Sequence, residues 1–344
     1  MIFNLSYELS PKDKEDFLQF YSLLEHKTIE QHPDWPQIEN ADVKYSYFIA
    51  RDKDEIICTA IIVENKSNYF PIARLQFGPL SENTDGLLFS IKALIEHYRK
   101  KKCILFTIQL AIPTGNGADF IEYQLNKDFE IYSYYDRNNW SSLQLNLNKT
   151  EDEIFKKFSK GHKSDIKRAV KNSIQVSDIY SEQDWAALVE IFVKMNQRRG
   201  LEKENKTLVN LLENVRHYFE SQNAGLTLIV RDASGEVIGG ILLAYQGNII
   251  RYFKGAADPD QRHLPVLHQA IWEGIKKAKL KGFQFFDFWG YNHFVTEEDQ
   301  VFHINRFKKG FGGDYTFYPK KMYFFYRPWI YKCYTLLKRM TTIF

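Results

Sequence analysis

Hydrophobic and polar positions follow the same pattern in the two halves of the chain. Residues 49–63 and 229–243 each consist of an apolar strand, a turn that begins with Arg-Asp, and a second apolar strand. Residues 91–106 and 271–286 each predict an amphipathic helix that leads into a short apolar and aromatic strand. A repeat of this length exceeds the roughly 20–50 residue period of a solenoid, so it indicates two copies of one domain.

The predicted elements have the same order in both halves: a helix, three antiparallel strands, a helix and a strand. Ser10 and Pro11 open the first helix, because Ser caps helices well and Pro fits the first turn. In the first half we predict strands over 44–50, 55–63, 69–77 and 103–109, and a helix over 86–101. In the second half we predict strands over 225–231, 236–246, 249–255 and 283–288, and a helix over 260–281. This order resembles the central unit of the GNAT (N-acetyltransferase) fold.

The boundary between the two domains is predicted near residue 148. We interpret the alternating strand 140–147 as the last strand of the first domain, and a strongly basic helix over 150–172 as the start of the second. The prediction is therefore an N-terminal GNAT-like domain over 1–148 and a C-terminal one over 149–344, which ends in an aromatic and basic helix. The fold class is α/β (α+β), and each domain is a mixed, mainly antiparallel sheet flanked by helices.

The composition excludes a disordered chain and does not indicate a general nucleic-acid binder. Of the 344 residues, 44% are hydrophobic and 16% aromatic, which favours β-rich cores. Lys and Arg number 46 against 43 Asp and Glu, a formal net charge of +3. Any surface that binds polyanions must therefore be local.

Cysteine usage and the lack of targeting segments favour a reducing compartment. Cys58, Cys103 and Cys333 lie far apart, and neither a disulfide framework nor a metal site is expected from their spacing. The N-terminus does not resemble a signal peptide, and no apolar stretch is long enough to span a bilayer. We predict a soluble, cytoplasmic protein, and peripheral contact with a membrane is left open as an alternative.

The helix after the third strand lacks the glycine-rich turn that holds the coenzyme A pyrophosphate in common GNAT proteins. In the second half, Gln261 and Arg262 are followed by no glycine, and Leu264–Val266 occupy the turn. The equivalent segment of the first half, Ser81–Gly86, also lacks the pattern. Since bare backbone N–H groups at a helix start cradle phosphate, neither copy is expected to bind acyl-CoA in the ordinary way.

Five short segments resemble motifs of one family. They read EQHPDW (30–35), SKGHKSDIKRAVKNSIQV (159–176), MNQRRGL (195–201), FDFWG (286–290) and RFKKGFGG (306–313). Together, and in this order, they resemble the FemABX family of non-ribosomal peptidyltransferases, which build the interpeptide bridges of peptidoglycan. Members of that family are tandem GNAT-like proteins, which agrees with the repeat.

The resemblance implies a reaction and two substrates. The reaction transfers an aminoacyl group from aminoacyl-tRNA to an amine of a muramyl-peptide precursor, which is UDP- or lipid-linked. No cofactor is implied, since aminoacyl-tRNA is a co-substrate and its ester already carries the driving force. The protein has to position the two groups and stabilise the developing oxyanion.

The resemblance also implies roles for individual residues. Lys308 matches a lysine at the reaction centre, and Arg198 matches an arginine that contacts phosphate, although Arg199 is an alternative alignment. Trp35 belongs to the early motif and is a candidate for substrate binding.

Other candidates come from the residues themselves and leave alternatives open. Lys163 and Arg168 belong to a basic helix that either binds phosphates or is a solvated face. Asp287 ends a strand and is either a catalytic base or a group that orients its loop. Arg251 and Lys254 flank two aromatics on one strand, and we predict that both lie on one face and point into a cleft.

Alternatives also remain for the C-terminal segment and for the function. Residues 326–344 mix aromatics with cations, so they either lie in a membrane interface or pack onto the domain. The second functional hypothesis is an acyltransferase that modifies an envelope sugar or polysaccharide with acyl-CoA or another donor. The third is a non-catalytic module that binds precursor or tRNA. The amino acid transferred and the oligomeric state do not follow from the sequence.

Overall fold

The computed structural model describes residues 1–39, 43–67, 69–115, 117–134, 141–293 and 295–341. It divides the chain into two compact units. The first consists of Met1–Asn139 together with Phe317–Phe344, and the second of Trp140–Thr316.

The first unit is built on one mixed sheet. Its elements are β1 (Ile2–Ser6), α1 (Pro11–Leu23), α2 (Pro36–Glu39), β2 (Val43–Asp52), β3 (Glu55–Asn65), β4 (Ile72–Gln76), β5 (Leu80–Ser81), α3 (Thr84–Lys100), β6 (Leu105–Gln109), α4 (Ala118–Leu125), β7 (Tyr132–Tyr134), and, after the second unit, β15 (Lys321–Phe325) and α11 (Pro328–Thr341). The strand order is β1-β2-β3-β4-β6-β15-β7, and β5 pairs with β3. Only β4 and β6 are recorded as a parallel pair in the described part of this sheet.

The second unit repeats this architecture. Its elements are β8 (Ser141–Asn146), α5 (Glu151–Lys156), α6 (Lys160–Lys171), β9 (Gln175–Ser177), α7 (Glu182–Arg198), α8 (Asn205–Gln222), β10 (Gly225–Arg231), β11 (Val237–Gln246), β12 (Ile249–Ala257), α9 (Val266–Leu280), β13 (Phe285–Asp287), α10 (Gln300–Lys309) and β14 (Asp314–Phe317). The strand order is β9-β10-β11-β12-β13-β8-β14, and β12 and β13 are parallel. Both sheets are therefore mixed and mainly antiparallel, as predicted.

The two copies of the repeated hairpin also share an irregularity in strand register. The β2–β3 pair shifts register between Ala50 and Arg51, and the β10–β11 pair shifts between Val230 and Arg231. These positions correspond in the sequence repeat. A bulge retained at the same place in both copies supports the interpretation that they are versions of one domain, because bulges are specific features of a strand pair.

The domain boundary differs from the predicted division into 1–148 and 149–344. Strand β8 does not close the first sheet; it pairs with β13 in the second. Conversely, β15 lies between β6 and β7 of the first sheet, although it follows β14 in sequence. The C-terminal segment from Phe317 therefore belongs to the first unit, and Trp140, where the predicted strand begins, lies outside the described residues.

The predicted basic helix over 150–172 is two helices, α5 and α6. The break falls at Phe158, whose side chain is buried in the core of the second unit. Ser159 then starts α6 as its N-cap and accepts the backbone N–H of His162 at 3.2 Å. Within the described part of the chain, no helix is both long enough and apolar enough to cross a membrane.

Candidate functional site

Lys308 lies near the end of α10 with its side chain almost fully buried. Its Nζ donates to the carbonyl oxygens of Trp289 and Gly290, the second at 3.1 Å. Burial lowers the pKa of Lys308 to about 8, an effect that the charge of Asp287 opposes. The FDFWG and RFKKGFGG segments, which are far apart in sequence, therefore meet at this amine.

Asp287 organises the loop that supplies those two carbonyls. The carboxylate is buried and accepts hydrogen bonds from Ser142 Oγ, from Gln144 Nε2 at 2.9 Å and from the backbone N–H of Trp289 at 2.7 Å. Trp289 and Gly290 both have positive φ, so the chain turns sharply just after the strand. These contacts favour the orienting role of Asp287 over the role of catalytic base, because its oxygens are occupied by donors from β8 and from its own loop.

The register of β12 places Arg251 and Lys254 on one face of the sheet, as predicted. Residues three apart in a regular strand point to opposite sides, but a register shift at Phe253 pairs Arg251 with Ala244 and Lys254 with Leu242, which lie two residues apart on β11. The Arg251 side chain is buried, and its guanidinium carbon lies 3.4 Å from the centre of the Trp289 ring. Arg251 therefore packs on the loop that holds Lys308, while Lys254 faces a cavity.

That cavity, here named the lysine cavity, encloses about 340 Å³ beside Lys308. The residues that line it come from α7, α8, β12, α9 and α10: Phe192, Met195, Asn196, Arg199, Leu208, Tyr252, Lys254, Gly255, Leu267, His303, Ile304, Phe307 and Lys308. Burial, and secondarily the charge of Arg199, lower the pKa of Lys254. Three cationic side chains thus line one mostly apolar chamber, an arrangement that attracts a polar group with negative charge.

A second cavity, here named the arginine cavity, encloses about 490 Å³ at the start of α9. It shares Met195, Arg199, Leu267 and Phe307 with the lysine cavity. Four arginines line it: Arg168, Arg198, Arg199 and Arg262. Since guanidinium groups match the oxygens of phosphate and carboxylate, this cavity suits an anionic ligand.

The predicted arginine Arg198 lines the arginine cavity, and so does its alternative. Arg198 Nη1 donates to the carbonyl oxygen of Pro259 at 3.1 Å, which holds its guanidinium at the rim. Arg199 follows the last residue of α7 and lines both cavities. The RRG segment therefore places two cationic side chains at the arginine cavity, and one of them, Arg199, also lines the lysine cavity.

The basic helix α6 contributes one of its two candidate residues to this site. Arg168 lines the arginine cavity and forms an ion pair with Asp165 at 2.8 Å. Lys163 instead donates to the carbonyl oxygen of Lys156 at the end of α5, at 3.3 Å. It is not among the residues that line the arginine cavity or the lysine cavity.

His162 of α6 holds the end of α10. Its Nε2–H donates to the carbonyl oxygen of Phe307 at 2.8 Å, and its Nδ1 lies 3.1 Å from Ser159 Oγ. A Cβ at Gly310 would lie 2.0 Å from the imidazole, so only glycine leaves room for this ring. The contact fixes the last turn of the helix that carries Lys308.

Trp35 is buried in the first unit, where its backbone N–H donates to the carbonyl oxygen of His32 at 2.8 Å. Its placement is that of a core residue, and its role in substrate binding stays a prediction.

The first unit has a smaller cavity at the equivalent position, the start of α3. It encloses about 240 Å³, and its lining, all within the described residues, includes Glu82 and no Lys or Arg. In the sequence repeat Glu82 corresponds to Arg262. The Asn83 side chain also accepts the N–H of Gly86 at 2.7 Å, which occupies a backbone donor of that helix start. The cationic site is therefore a feature of the second unit.

Several lining residues were missed by the sequence analysis. Tyr252 and His303 line the lysine cavity, and Arg262 and His268 line the arginine cavity. Burial, and then the neighbouring His162, lower the pKa of His268 to about 4, so its ring is neutral near pH 7. Arg262 was noticed only as part of a turn without glycines, because the sequence does not show that Arg168 and Arg198 lie beside it.

Comparisons with known proteins place this geometry in a known fold. Residues 156–308 match the family model of the acetyltransferase (GNAT) domain. The chain is similar in structure to FemX, with a TM-score of 0.77, 12% sequence identity, and coverage of 98% of this chain and 99% of that one. No curated protein sequence matches the chain significantly.

Two further solved structures are similar at a lower level. L-PGS from Bacillus licheniformis has a TM-score of 0.56 and 10% identity over 96% of each chain. A tandem GNAT protein from the clavulanic acid biosynthesis pathway has the same TM-score and identity, with coverage of 95% of this chain and 99% of that one.

The chain therefore has a tandem GNAT fold, and the segment that matches the acetyltransferase (GNAT) domain lies in its second unit. Its fold is that of FemX, which confirms the predicted tandem architecture and the resemblance to the FemABX proteins at the level of fold.

Proposed function

We propose that the chain is an aminoacyltransferase that moves an amino acid from aminoacyl-tRNA to the amine of a peptidoglycan precursor peptide in the cytoplasm. The observation that carries the proposal is the buried amine of Lys308, held by two backbone carbonyls beside a cavity that shares four lining residues with a second, arginine-lined cavity. The FemX-like fold and the five motif segments support the same reaction.

The reaction needs one amine, one ester and a place for negative charge. The acceptor nitrogen attacks the ester carbonyl, the carbonyl oxygen becomes an oxyanion, and the bond to the ribose oxygen of the tRNA then breaks. The proton lost by the amine ends on that ribose oxygen, and an amide is formed. No covalent enzyme intermediate is required, so the contribution of the protein is orientation and charge stabilisation.

Lys308 supplies the positive charge for the oxyanion. A protonated amine has three N–H donors, and two of them are taken by the carbonyls of Trp289 and Gly290. The third is left for the substrate in the lysine cavity. Because the two carbonyls fix Nζ before the substrate arrives, little reorganisation is needed as the charge develops.

The arginine cavity holds the phosphates of a substrate. Four guanidinium groups on α6, α7 and the segment before α9 surround one chamber next to the reaction centre. The pyrophosphate of a UDP- or lipid-linked precursor fits this charge, and the exposed lysines of α6 suit the tRNA backbone. The first unit has Glu82 at the corresponding place, so we assign phosphate binding to the second unit alone.

A second candidate function is an acyl-CoA-dependent acyltransferase. It is favoured by the position of the arginine cavity at the start of α9, in a domain that matches a GNAT acetyltransferase model. Leu264, Pro265 and Val266 line the cavity there in place of glycines, and the proline has no backbone N–H to offer. This chemistry disfavours the usual pyrophosphate cradle of coenzyme A.

A transfer assay separates the two functions. The protein is incubated with radiolabelled aminoacyl-tRNAs and muramyl-pentapeptide acceptors, and in parallel with labelled acetyl-CoA and the same acceptors. We expect label on the acceptor from the tRNA pool, and we expect prior RNase treatment to abolish it. Label from acetyl-CoA alone would establish the second function. Binding of the precursor without transfer from either donor would indicate a non-catalytic module.

A further inference from the structure

The C-terminal helix α11 has two apolar faces. One face is anchored: Ile330, Tyr331 and Tyr334 pack against a cluster of buried residues of the first unit, and the Tyr334 ring lies 5.5 Å from that of Phe70. Of the two alternatives for this segment, these side chains therefore pack as the second one predicts, but on the first unit and not on the C-terminal domain to which the sequence analysis assigned them. The helix is a fixed part of the first unit, so its other face is presented in one orientation.

An adjoining face of the same helix is apolar and open to solvent. We name it the C-terminal stripe, and its members are Trp329, Cys333, Leu336 and Leu337. Their spacing of four, three and one places them on one side of a helix. Trp329 is 77% exposed and Leu336 60% exposed, and the highly exposed Tyr69 adjoins Phe70 at the anchored face. Large apolar side chains grouped in this way mark an interaction surface.

The charged residues of the segment that carries the stripe are all positive. Residues 326–344 contain Arg327, Lys332, Lys338 and Arg339 and no Asp or Glu. Lys332 Nζ lies 4.9 Å from the centre of the Trp329 ring, so a cation flanks the stripe directly. The complementary partner is therefore a surface with an apolar layer and negative charge.

We propose that the C-terminal stripe docks the protein on an anionic lipid bilayer. Trp and Tyr with Leu and cations on a single helix are the composition of interfacial helices, which lie in the plane of the headgroups. The stripe is the outer ridge of a helix, which suits a flat surface. A second copy of the chain fits less well, because a two-fold contact through the stripe would bring like charges together. This inference concerns the first unit and is independent of the proposed reaction.

Vesicle binding tests the proposal with the whole chain. We expect co-sedimentation with vesicles of phosphatidylglycerol and phosphatidylcholine, weaker binding to phosphatidylcholine alone, and weaker binding at high salt. The double variant Trp329→Ser/Leu336→Ser is expected to lower the partition coefficient by about tenfold or more, since it removes two insertable side chains. No binding of the unaltered protein to anionic vesicles would overturn the proposal.

Matched control variants test whether the loss of any exposed apolar side chain or any lysine lowers vesicle binding equally. Ile179 and Leu280 of the second unit are 83% and 88% exposed, so Ile179→Ser/Leu280→Ser removes similar exposed side chains and should bind as the unaltered protein does. Lys332→Glu should lower binding by about tenfold to thirtyfold, whereas Lys203→Glu, at another exposed lysine, should cost much less. Equal losses in target and control variants would contradict docking through the stripe, provided that melting temperatures are unchanged.

Cys333 provides a direct readout of depth. Cys58 and Cys103 are buried, so a thiol-reactive spin label attaches to the exposed Cys333 in the native sequence. On anionic vesicles the label should become accessible to oxygen and protected from a water-soluble relaxation agent. A label that stays in water while the protein is bound would overturn the proposal. So would self-association in solution that the double variant abolishes, because that result would identify a second copy as the occupant.

Discussion

The environment of Lys308 sets the protonation state of its amine near neutral pH. Burial removes water from the ammonium group, while the carbonyls of Trp289 and Gly290 accept its hydrogen bonds. With a pKa of about 8, the amine is mostly charged at pH 7 and loses its proton in mildly alkaline solution. A charge-stabilising role therefore has a defined pH limit.

Replacement of Lys308 tests that role against a neighbouring lysine. Lys308→Met should lower kcat by roughly a hundredfold to a thousandfold, because one preorganised donor to the oxyanion is lost. The Kd for the precursor should change by only about twofold, since the arginine cavity is intact. Lys309→Met, at an exposed position next to it, should leave both constants near those of the unaltered protein. Equal losses of turnover and affinity in Lys308→Met would contradict a role of Lys308 in stabilising the transition state.

The lowered pKa of Lys308 also predicts how stability depends on pH. In the unfolded chain the amine is protonated below its ordinary pKa of 10.5, whereas in the folded protein it is protonated only below about 8. Between these values the unfolded state binds more protons, so the free energy of unfolding rises with pH, by about 3 kcal/mol in all. Urea denaturation at several pH values measures this. Lys308→Met should lack that rise, and parallel curves for the two proteins would contradict the assignment.

At the residue scale, the sequence identified candidate site residues more successfully than it predicted their contacts. Lys308 and Arg198 were identified from motif resemblance, and both line cavities in the second unit. The two carbonyls that hold Lys308 could not be predicted, because they depend on the positive φ angles of Trp289 and Gly290. The bulge in β12 could not be predicted either, although Arg251 and Lys254, three residues apart, share a face only because of it.

At the scale of elements, the contact between α6 and α10 fixes the position of the Lys308 side chain. The His162 ring fills the space over Gly310 and donates to the carbonyl oxygen of Phe307, one residue before Lys308. The rings of Phe307 and Phe311 lie 5.5 and 4.5 Å from it. Gly310, the first glycine of the RFKKGFGG segment, is therefore needed for the close packing of α6 on α10.

Gly310→Ala should separate these two helices. The new Cβ would meet the imidazole of His162, so we expect a loss of about 1–3 kcal/mol in the free energy of unfolding and a lower kcat. Gly161→Ala is the control, because the nearest atom to its Cβ is 4.0 Å away and alanine favours helix. In the double variant Gly310→Ala/His162→Ala the combined cost should be smaller than the sum of the single costs. Strict additivity would show that the ring and the glycine do not interact.

Local elements were well predicted where caps and periodicity agree. Helix α1 begins where its cap predicts, since Ser10 accepts the backbone N–H of Asp13 at 3.1 Å and Pro11 is the first helical residue. The basic helix was drawn as one element because its periodicity runs through Phe158. The burial of that ring and the cap at Ser159 interrupt it, and burial by distant residues leaves no local signal.

At the scale of the whole molecule, the chain exchanges strands between the two halves of its sequence. The strand beside β6 in the first sheet is β15, and the strand beside β13 in the second is β8. The alternation of 141–146 predicted a strand but could not identify its partner, because alternation reports burial of one face and says nothing of which edge the strand meets. The tandem repeat was therefore visible from sequence, whereas the division of the chain was not.

This exchange predicts which fragments fold alone. Residues 140–318 contain all seven strands of the second sheet, from β8 to β14. Residues 149–344, the domain drawn from sequence, lack β8, which lies between β13 and β14, and carry β15 without its partners β6 and β7. We expect the first fragment to unfold cooperatively in urea, with coincident circular dichroism and tryptophan fluorescence transitions.

The second fragment is expected to show a shallow, non-coincident transition, because removal of an interior strand leaves two rows of backbone groups unpaired and opens the core around Leu143 and Leu145. The two fragments share residues 149–318, so the comparison isolates the exchanged strands. A cooperative transition in 149–344 as sharp as that of 140–318 would contradict the strand order. Failure of 140–318 to fold would show that the second unit depends on the rest of the chain.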